Sequence, residues 1–247
     1  LYRTFGTLYH IKKIVRLSDF IVHFLQRSRL QEFPMSAAPA KQLVQPIRLY
    51  GFPLSGHSHR VQLFLTLLDL PHEFIYVDLP SKAQKDAAFL ARNPRGQVPV
   101  IEDGDITLYD STAILVYLAK QYGEAGWLPS DPADAARVQQ FLSLASGEVL
   151  EGPGKARMVK LFGAPHDYAL ATQKAAALLK LLDAHLTGRS FLVGTRPTIA
   201  DIACYSYVAH APEGGVSLEA YAHVRGWIAR VESLPKFVPM PATPLAA

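Results

Sequence analysis

The apolar positions of the chain change period along its length, and each change marks an element. Ile47 to Gly51 (I-R-L-Y-G) is an apolar run of strand length. Val61, Phe64, Leu65 and Leu68 then recur at helical spacing until Leu70-Pro71 stops the run, because proline offers no amide to a continuing helix. Phe74 to Asp78 (F-I-Y-V-D) is expected as a second strand, and its nearly continuous apolar character predicts a parallel strand covered on both faces. A βαβ unit results.

A short helical patch ends in F-L-A-R-N-P-R-G (Phe89 to Gly96). Val98 to Glu102 and Asp105 to Tyr109 flank Asp103-Gly104, and Asp-Gly between apolar runs predicts a hairpin whose two turn residues take positive φ. Pro99 cannot donate a ladder hydrogen bond, so its backbone is expected to face something other than a strand, such as a ligand. Tyr109 to Leu118 opens another helix, with Asp110 and Ser111 placed to cap its free amides.

Residues 123–133 carry turn formers and are expected as a linker between a first domain over 47–122 and an all-helical one over 134–247. Val138, Phe141, Leu142, Ala145 and Val149 share one helical stripe, and Leu178, Leu182 and Leu186 a second. Thr198 and Asp201, after Pro197, form a capping-box-like start to a third helix. Val224, Trp227, Ile228 and Val231 define a last one.

The 247 residues, 49% of them hydrophobic, suffice for one large domain or two small ones. The net charge of +4 is an excess located at one end. Residues 1–34 hold six basic side chains (Arg3, Lys12, Lys13, Arg16, Arg27, Arg29) against Asp19 and Glu32, so the remainder carries 19 of each sign. A neutral body gives no nucleic-acid signal. Within the leader, 1–46, Ile11, Ile14, Val15, Val22 and Leu25 form an apolar stripe beside Lys12, Lys13 and Arg16, the pattern of a membrane-surface or transit segment. The first methionine is Met35, followed by small and polar residues, and the leader is expected to be an upstream extension without function.

A lone cysteine, Cys204, excludes an internal disulfide framework and is compatible with a reducing, cytoplasmic setting. It lies in an apolar helical run and is expected to pack. No apolar stretch reaches the roughly 20 residues of a membrane span, so a soluble protein is expected. His57 and His59 have no third ligand nearby, and no metal is expected there.

The order of elements over about 47–238, with three local segments, resembles the cytosolic glutathione transferases, a thioredoxin-like α/β domain followed by an all-α bundle. S-G-H-S-H-R (Ser55 to Arg60) is similar to the S-x-x-C/S-x-R loop of the serine-type members found in bacteria. The resemblance implies that the Ser55 hydroxyl, at a helix N-terminus, hydrogen-bonds the sulfur of glutathione. A free thiol has a pKa near about 8.5, and a helix N-terminus plus an O–H donor favours its anion. Lowering that pKa by about two units is worth roughly 2.7 kcal/mol. Ser58 remains open as the activating group, and either serine also suits a plain helix cap.

Asn93 to Ile114 looks like the family's "NPxGQVP…DG…L.(E/D)S.AI" signature at full length. The resemblance implies a cis Pro99, a Val98 backbone that pairs with the cysteinyl part of glutathione, and Asp110 and Ser111 at the γ-glutamyl end. Asp110 stands where Glu is commoner in the family. Gln97, with Gln84 and Lys85, is implied for the glycine carboxylate. F-L-V-G-T-R-P-T-I-A-D-I-A (Phe191 to Ala203) is similar to the family's second-domain segment, in which Thr198 and Asp201 are structural.

The function implied is thiolate attack on a small electrophile held between the halves, against the helix from about Pro132 to Leu150, in a homodimer engaged in detoxification. The alternatives are a glutathione-dependent peroxidase or reductase and a noncatalytic module of the same fold that binds a partner protein. A serine hydrolase is disfavoured, since no G-x-S-x-G elbow occurs. G-E-V-L-E-G-P-G-K-A-R (Gly147 to Arg157) matches no member's pattern.

Overall fold

A computed structural model describes residues 45–243. All but the last two residues of the leader 1–46, and the tail 244–247, lie outside the described residues.

Four strands, β1 (Ile47–Gly51), β2 (His72–Tyr76), β3 (Val100–Asp103) and β4 (Ile106–Tyr109), form one sheet in the order β2-β1-β3-β4. β1 runs parallel to β2 and antiparallel to β3, which pairs antiparallel with β4. The parallel pair needs a crossover, supplied by α1 (Gly56–Leu67). A 3-10 turn (Ala83–Lys85) and the short α2 (Ala87–Leu90) lead to β3, and α3 (Ser111–Gln121) follows β4.

Ile47, Leu49, Val61, Phe64, Leu65, Ile101, Ile114 and Leu115 are fully buried where α1 and α3 cover one face of the sheet. Burying each such side chain contributes about 1.5–3 kcal/mol. Tyr50, Val77, Phe89 and Val100 make a smaller cluster. The helical half comprises α4 (Pro132–Ser146), a wide π turn (Leu150–Gly154), α5 (Lys155–Phe162), α6 (Tyr168–Leu186), α7 (Ile199–Ala209), a 3-10 turn (Ala211–Gly214) and α8 (Ala222–Glu232). Every residue from Ile199 to Val208 is buried, as befits a central helix. α7 packs on α1 and α3 as well as on α4 and α8, so one continuous core serves both halves.

Four local expectations need correction. β2 begins and ends two residues earlier than the apolar run suggested, and it is an edge strand with only intermediate or exposed residues, not one covered on both faces. β3 starts at Val100, after Pro99. In the hairpin Asp103 pairs with Ile106, so the turn is Gly104-Asp105 and only Gly104 has positive φ. Asp103 stays in the strand, its carboxylate accepting the Tyr117 and Tyr122 hydroxyls at 2.6 and 2.5 Å.

The fourth correction is a helix that the periodicity missed. Through Gly152-Pro153-Gly154 the chain stays helical, as a π turn running into α5. Pro153 lacks an amide, and a widened turn accommodates it. Gly152 is required by proximity: a Cβ there would lie 2.7 Å from the Ala175 nitrogen of α6.

Candidate active site

The sheet register gathers the polar residues at one end. Tyr50 pairs with Val100, which also pairs with Tyr109. The residues just beyond these strands, Phe52 to Ser55 after β1, Pro99 before β3 and Asp110 after β4, therefore share that end of the sheet. The Val98-Pro99 peptide is cis.

Ser55 is the N-cap of α1, with φ −87° and ψ 115°, and its Oγ accepts the Ser58 N–H at 3.3 Å. That bond occupies a lone pair and leaves the O–H to donate. Ser58 is fully buried, and its own Oγ accepts the Phe52 N–H at 3.2 Å. Of the two serines, only Ser55 is partly exposed. The first turn of α1 holds no acidic residue, so no charge of its own offsets the positive end of the helix dipole.

α3 presents Ser111 to the same place. Arg60 donates from Nη1 to Ser111 Oγ at 3.3 Å, and His57 Nδ1 lies 3.3 Å from that oxygen. Burial, then the Arg60 charge, pushes the His57 pKa down to about 3, so the ring is neutral near pH 7. Arg60 is fully buried, and its Nε and Nη2 have no partner among the described residues. A buried cation adds positive potential beside the two helix ends.

Asp110 caps α3 from a strained backbone, φ +70°. Its Oδ1 accepts Thr112 Oγ1 at 2.6 Å, Thr112 N–H at 2.9 Å and Ala113 N–H at 3.2 Å, while Oδ2 lies 3.9 Å from Arg95 Nη1. Burial alone would raise its pKa, but these hydrogen bonds outweigh it and hold the carboxyl below the usual range.

The N-P-R-G-Q loop is built around Asn93, which donates from Nδ2 to the Gln97 carbonyl at 2.7 Å and accepts the Arg95 N–H at 3.0 Å. The 3-10 turn docks on it: Lys85 Nζ donates to the Gly96 carbonyl at 2.9 Å and the Arg95 carbonyl at 3.2 Å. A side chain at Gly96 would strike Lys85 and the Gln84 carbonyl, and Gly96 has positive φ. The Gln97 side chain is exposed, and Gln84 Oε1 is buried without a partner among the described residues.

Three contributors come from outside the expected set. Tyr207 of α7 packs its ring against Gly56 and edge-on to His57 at 5.2 Å. Arg157 of α5 reaches the Leu54 carbonyl. Phe52 stands between Tyr76 and Phe162 in an aromatic row, its ring centroid 6.0 and 6.4 Å from theirs, and both of these neighbours are exposed. Neither Tyr207 nor Arg157 has a local signal, whereas Arg60 stands in the S-x-x-S-x-R segment that marked the loop.

His59 does not face this site. It lies between Ser206 Oγ, 2.9 Å from Nδ1, and the Val238 carbonyl, 2.8 Å from Nε2. Asp201 is likewise structural, accepting from Leu192 N, Thr198 N and Trp227 Nε1 at 2.8–2.9 Å. Cys204 is fully buried, and burial pushes its thiol up to about 12, which makes it inert. Among the described residues no group of three His, Cys, Asp or Glu could hold a metal, and no helix is long and apolar enough to cross a membrane.

A thioredoxin-like sheet with a cis-proline loop facing two helix N-termini, joined to an all-helical half, defines a class of thiol-handling proteins. The chain belongs to the glutathione S-transferase family. The family profile "Glutathione S-transferase, N-terminal domain" matches residues 49–126 and "Glutathione S-transferase, C-terminal domain" matches 158–235. "Glutathione S-transferase 3" of Zea mays is 34% identical over 221 residues, which are 81% of this chain and 97% of that protein. The crystal structure of a glutathione S-transferase from Pseudomonas fluorescens superposes with a TM-score of 0.75 at 33% identity, covering 79% of this chain and 99% of that one. A glutathione transferase homolog from Drosophila mojavensis, solved with bound glutathione, gives 0.68 at 30% identity, covering 77% and 89%. The protein is a glutathione S-transferase.

Proposed function

We propose that Ser55 is the group that holds glutathione as its thiolate for attack on a small electrophile. The observation that carries this is the division of labour between the two serines: the Ser58 hydroxyl is buried on the Phe52 amide, while the partly exposed Ser55 Oγ at the mouth of α1 accepts the Ser58 N–H, which leaves its own O–H to donate. A thiolate there gains an O–H donor and the positive end of a helix. Ser55 acts as donor, so no base has to remove its proton.

The remaining contacts rest on the tripeptide's chemistry, and the Drosophila mojavensis homolog solved with bound glutathione supports a glutathione site in this fold. The Val98 backbone, next to cis Pro99, would pair with the cysteinyl unit. Ser111, backed by Arg60 at the start of α3, suits the γ-glutamyl carboxylate, and the Asp110 carboxylate suits the amino group. Gln97, Lys85 and Gln84 offer amide and ammonium donors to the glycine carboxylate. The row of half-buried Phe52 with exposed Tyr76 and Phe162 would offer an apolar wall to the electrophile. A detoxifying role, a homodimer and a cytoplasmic setting complete the reading.

Ser55→Ala should raise the pKa of the bound thiol, read as thiolate absorbance against pH, and lower turnover of a generic aromatic halide by one to two orders of magnitude. Ser58→Ala should retain thiolate formation. If Ser58→Ala alone abolishes the thiolate signal, the assignment of Ser55 is wrong.

A further inference from the structure

We infer that Arg157 is a positioning residue for Ser55, fixing from the helical half the peptide that presents the serine.

The Arg157 side chain is 1% exposed. Its Nη1 donates to the Leu54 carbonyl at 2.7 Å and its Nε to Glu213 Oε2 at 2.6 Å. Glu213 is itself held, its Oε1 lying 2.8 Å from His210 Nδ1 and accepting the Thr243 N–H at 3.1 Å. The turn that carries Glu213 is seated directly on α5, since a Cβ at Gly214 would lie 2.6 Å from the Arg157 nitrogen. Arg157 thus has little freedom, and the carbonyl it grips has little either.

That carbonyl belongs to the peptide bond between Leu54 and Ser55. The N–H of the same peptide donates to the Phe52 carbonyl at 2.9 Å. A peptide is planar, so pinning its oxygen on one side and its hydrogen on the other sets the plane from which Ser55 departs. The hydroxyl is then aimed by the remaining rotations at one residue. Arg157 and Leu54 are 103 residues apart, and burying a charge costs several kcal/mol unless it is well paired. Here one arm of a buried ion pair is spent on a single backbone oxygen, in the peptide that joins Leu54 to the serine.

Given Ser55 as the partner of the thiol, on which this rests, the effect of Arg157 must pass through the serine. The test is the pKa of glutathione bound to the whole chain, from thiolate absorbance against pH, with the thermal midpoint measured alongside. Arg157→Lys keeps the charge but not the two-pronged fork. It should raise the bound thiol's pKa by about one unit toward that of a free thiol, which is about tenfold less thiolate below the pKa. In a Ser55→Ala background the same change should produce no further rise, because the serine it positions is gone. Glu213→Gln, which loosens Arg157 without removing it, should move the thiol in the same direction and serves if the lysine variant does not fold.

A lower thermal midpoint with an unmoved thiol pKa would make Arg157 mere structural support and overturn the inference. So would an equal rise in the presence and absence of Ser55, since the charge would then act on the thiol directly. If Ser55→Ala alone leaves the thiol pKa unchanged, it is the reading of the serine that fails, and the role of Arg157 falls with it.

Discussion

Gly56 and Tyr207 are packed so closely that a Cβ at position 56 would lie 2.8 Å from the tyrosine ring. One belongs to the first turn of α1, the other to the central helix of the helical half. Gly56→Ala therefore has to push the halves apart or tilt α1. Overpacking of this kind costs about 1–3 kcal/mol, and a loss of about 2 kcal/mol lowers the Tm of a chain of this size by roughly 4–8 °C. Calorimetry of Gly56→Ala checks this, and Tyr207→Ala in the same chain should relieve the clash.

Ser58→Ala should be a stability variant. It leaves the Phe52 N–H without its acceptor, at a cost of about 1–3 kcal/mol if the amide stays dry. The denaturation midpoint should fall, with the KM for glutathione little changed.

His59 makes stability depend on pH. Burial pushes its pKa down to about 4 from 6.5, against the hydrogen bond to the Val238 carbonyl. With Nε2–H donating to that carbonyl, Nδ1 is left to accept the Ser206 hydroxyl, an arrangement only the neutral ring allows. The unfolded chain binds the proton first as pH falls, so the stabilisation is complete above about 6.5 and is lost between there and about 4. The loss amounts to at most about 3 kcal/mol. His57 titrates in the same sense. Denaturant titrations at pH 7 and 5 should show the fall, and His59→Gln, which still offers an amide donor to Val238, should reduce its slope by one proton.

Asp110→Ala should lose twice over. It removes three hydrogen bonds at the start of α3 and leaves an alanine at φ +70°. Loss of a cap costs about 0.5–2 kcal/mol, and a left-handed backbone adds about 1–2. Asp110→Asn keeps a capping oxygen and tolerates that backbone, so it should cost less stability than alanine while weakening glutathione binding through loss of the charge. Comparing the Tm and glutathione affinity of the two variants separates cap from charge.

Much of this site was legible because it is local. The cap of α1 at Ser55, the Asn93–Gly96 turn and the Asp110 cap of α3 are each made by side chains within a few residues, and their spacing survives in the linear chain. The cis bond at Pro99 was foreseen through a resemblance, not from the residues themselves. Arg157, Tyr207 and Glu213 were not foreseen, since they meet the loop only after the helical half folds onto it. β2 was misjudged because its apolar residues contact neighbours on one side and solvent on the other at the sheet edge. The segment 147–157 gave no pattern because Gly152 answers to the backbone of α6 rather than to helix propensity.

The Gly152-Pro153-Gly154 bend also acts as a phase shifter. A regular helix advances about 100° per residue, so one residue more or fewer in this turn rotates everything after it by a little over a quarter of a revolution about the axis. Shortened by one, α5 would still be a sound helix, yet its arginine would sweep away from the loop below. The angular setting of a distant side chain is thus stored in the length of a single irregular turn.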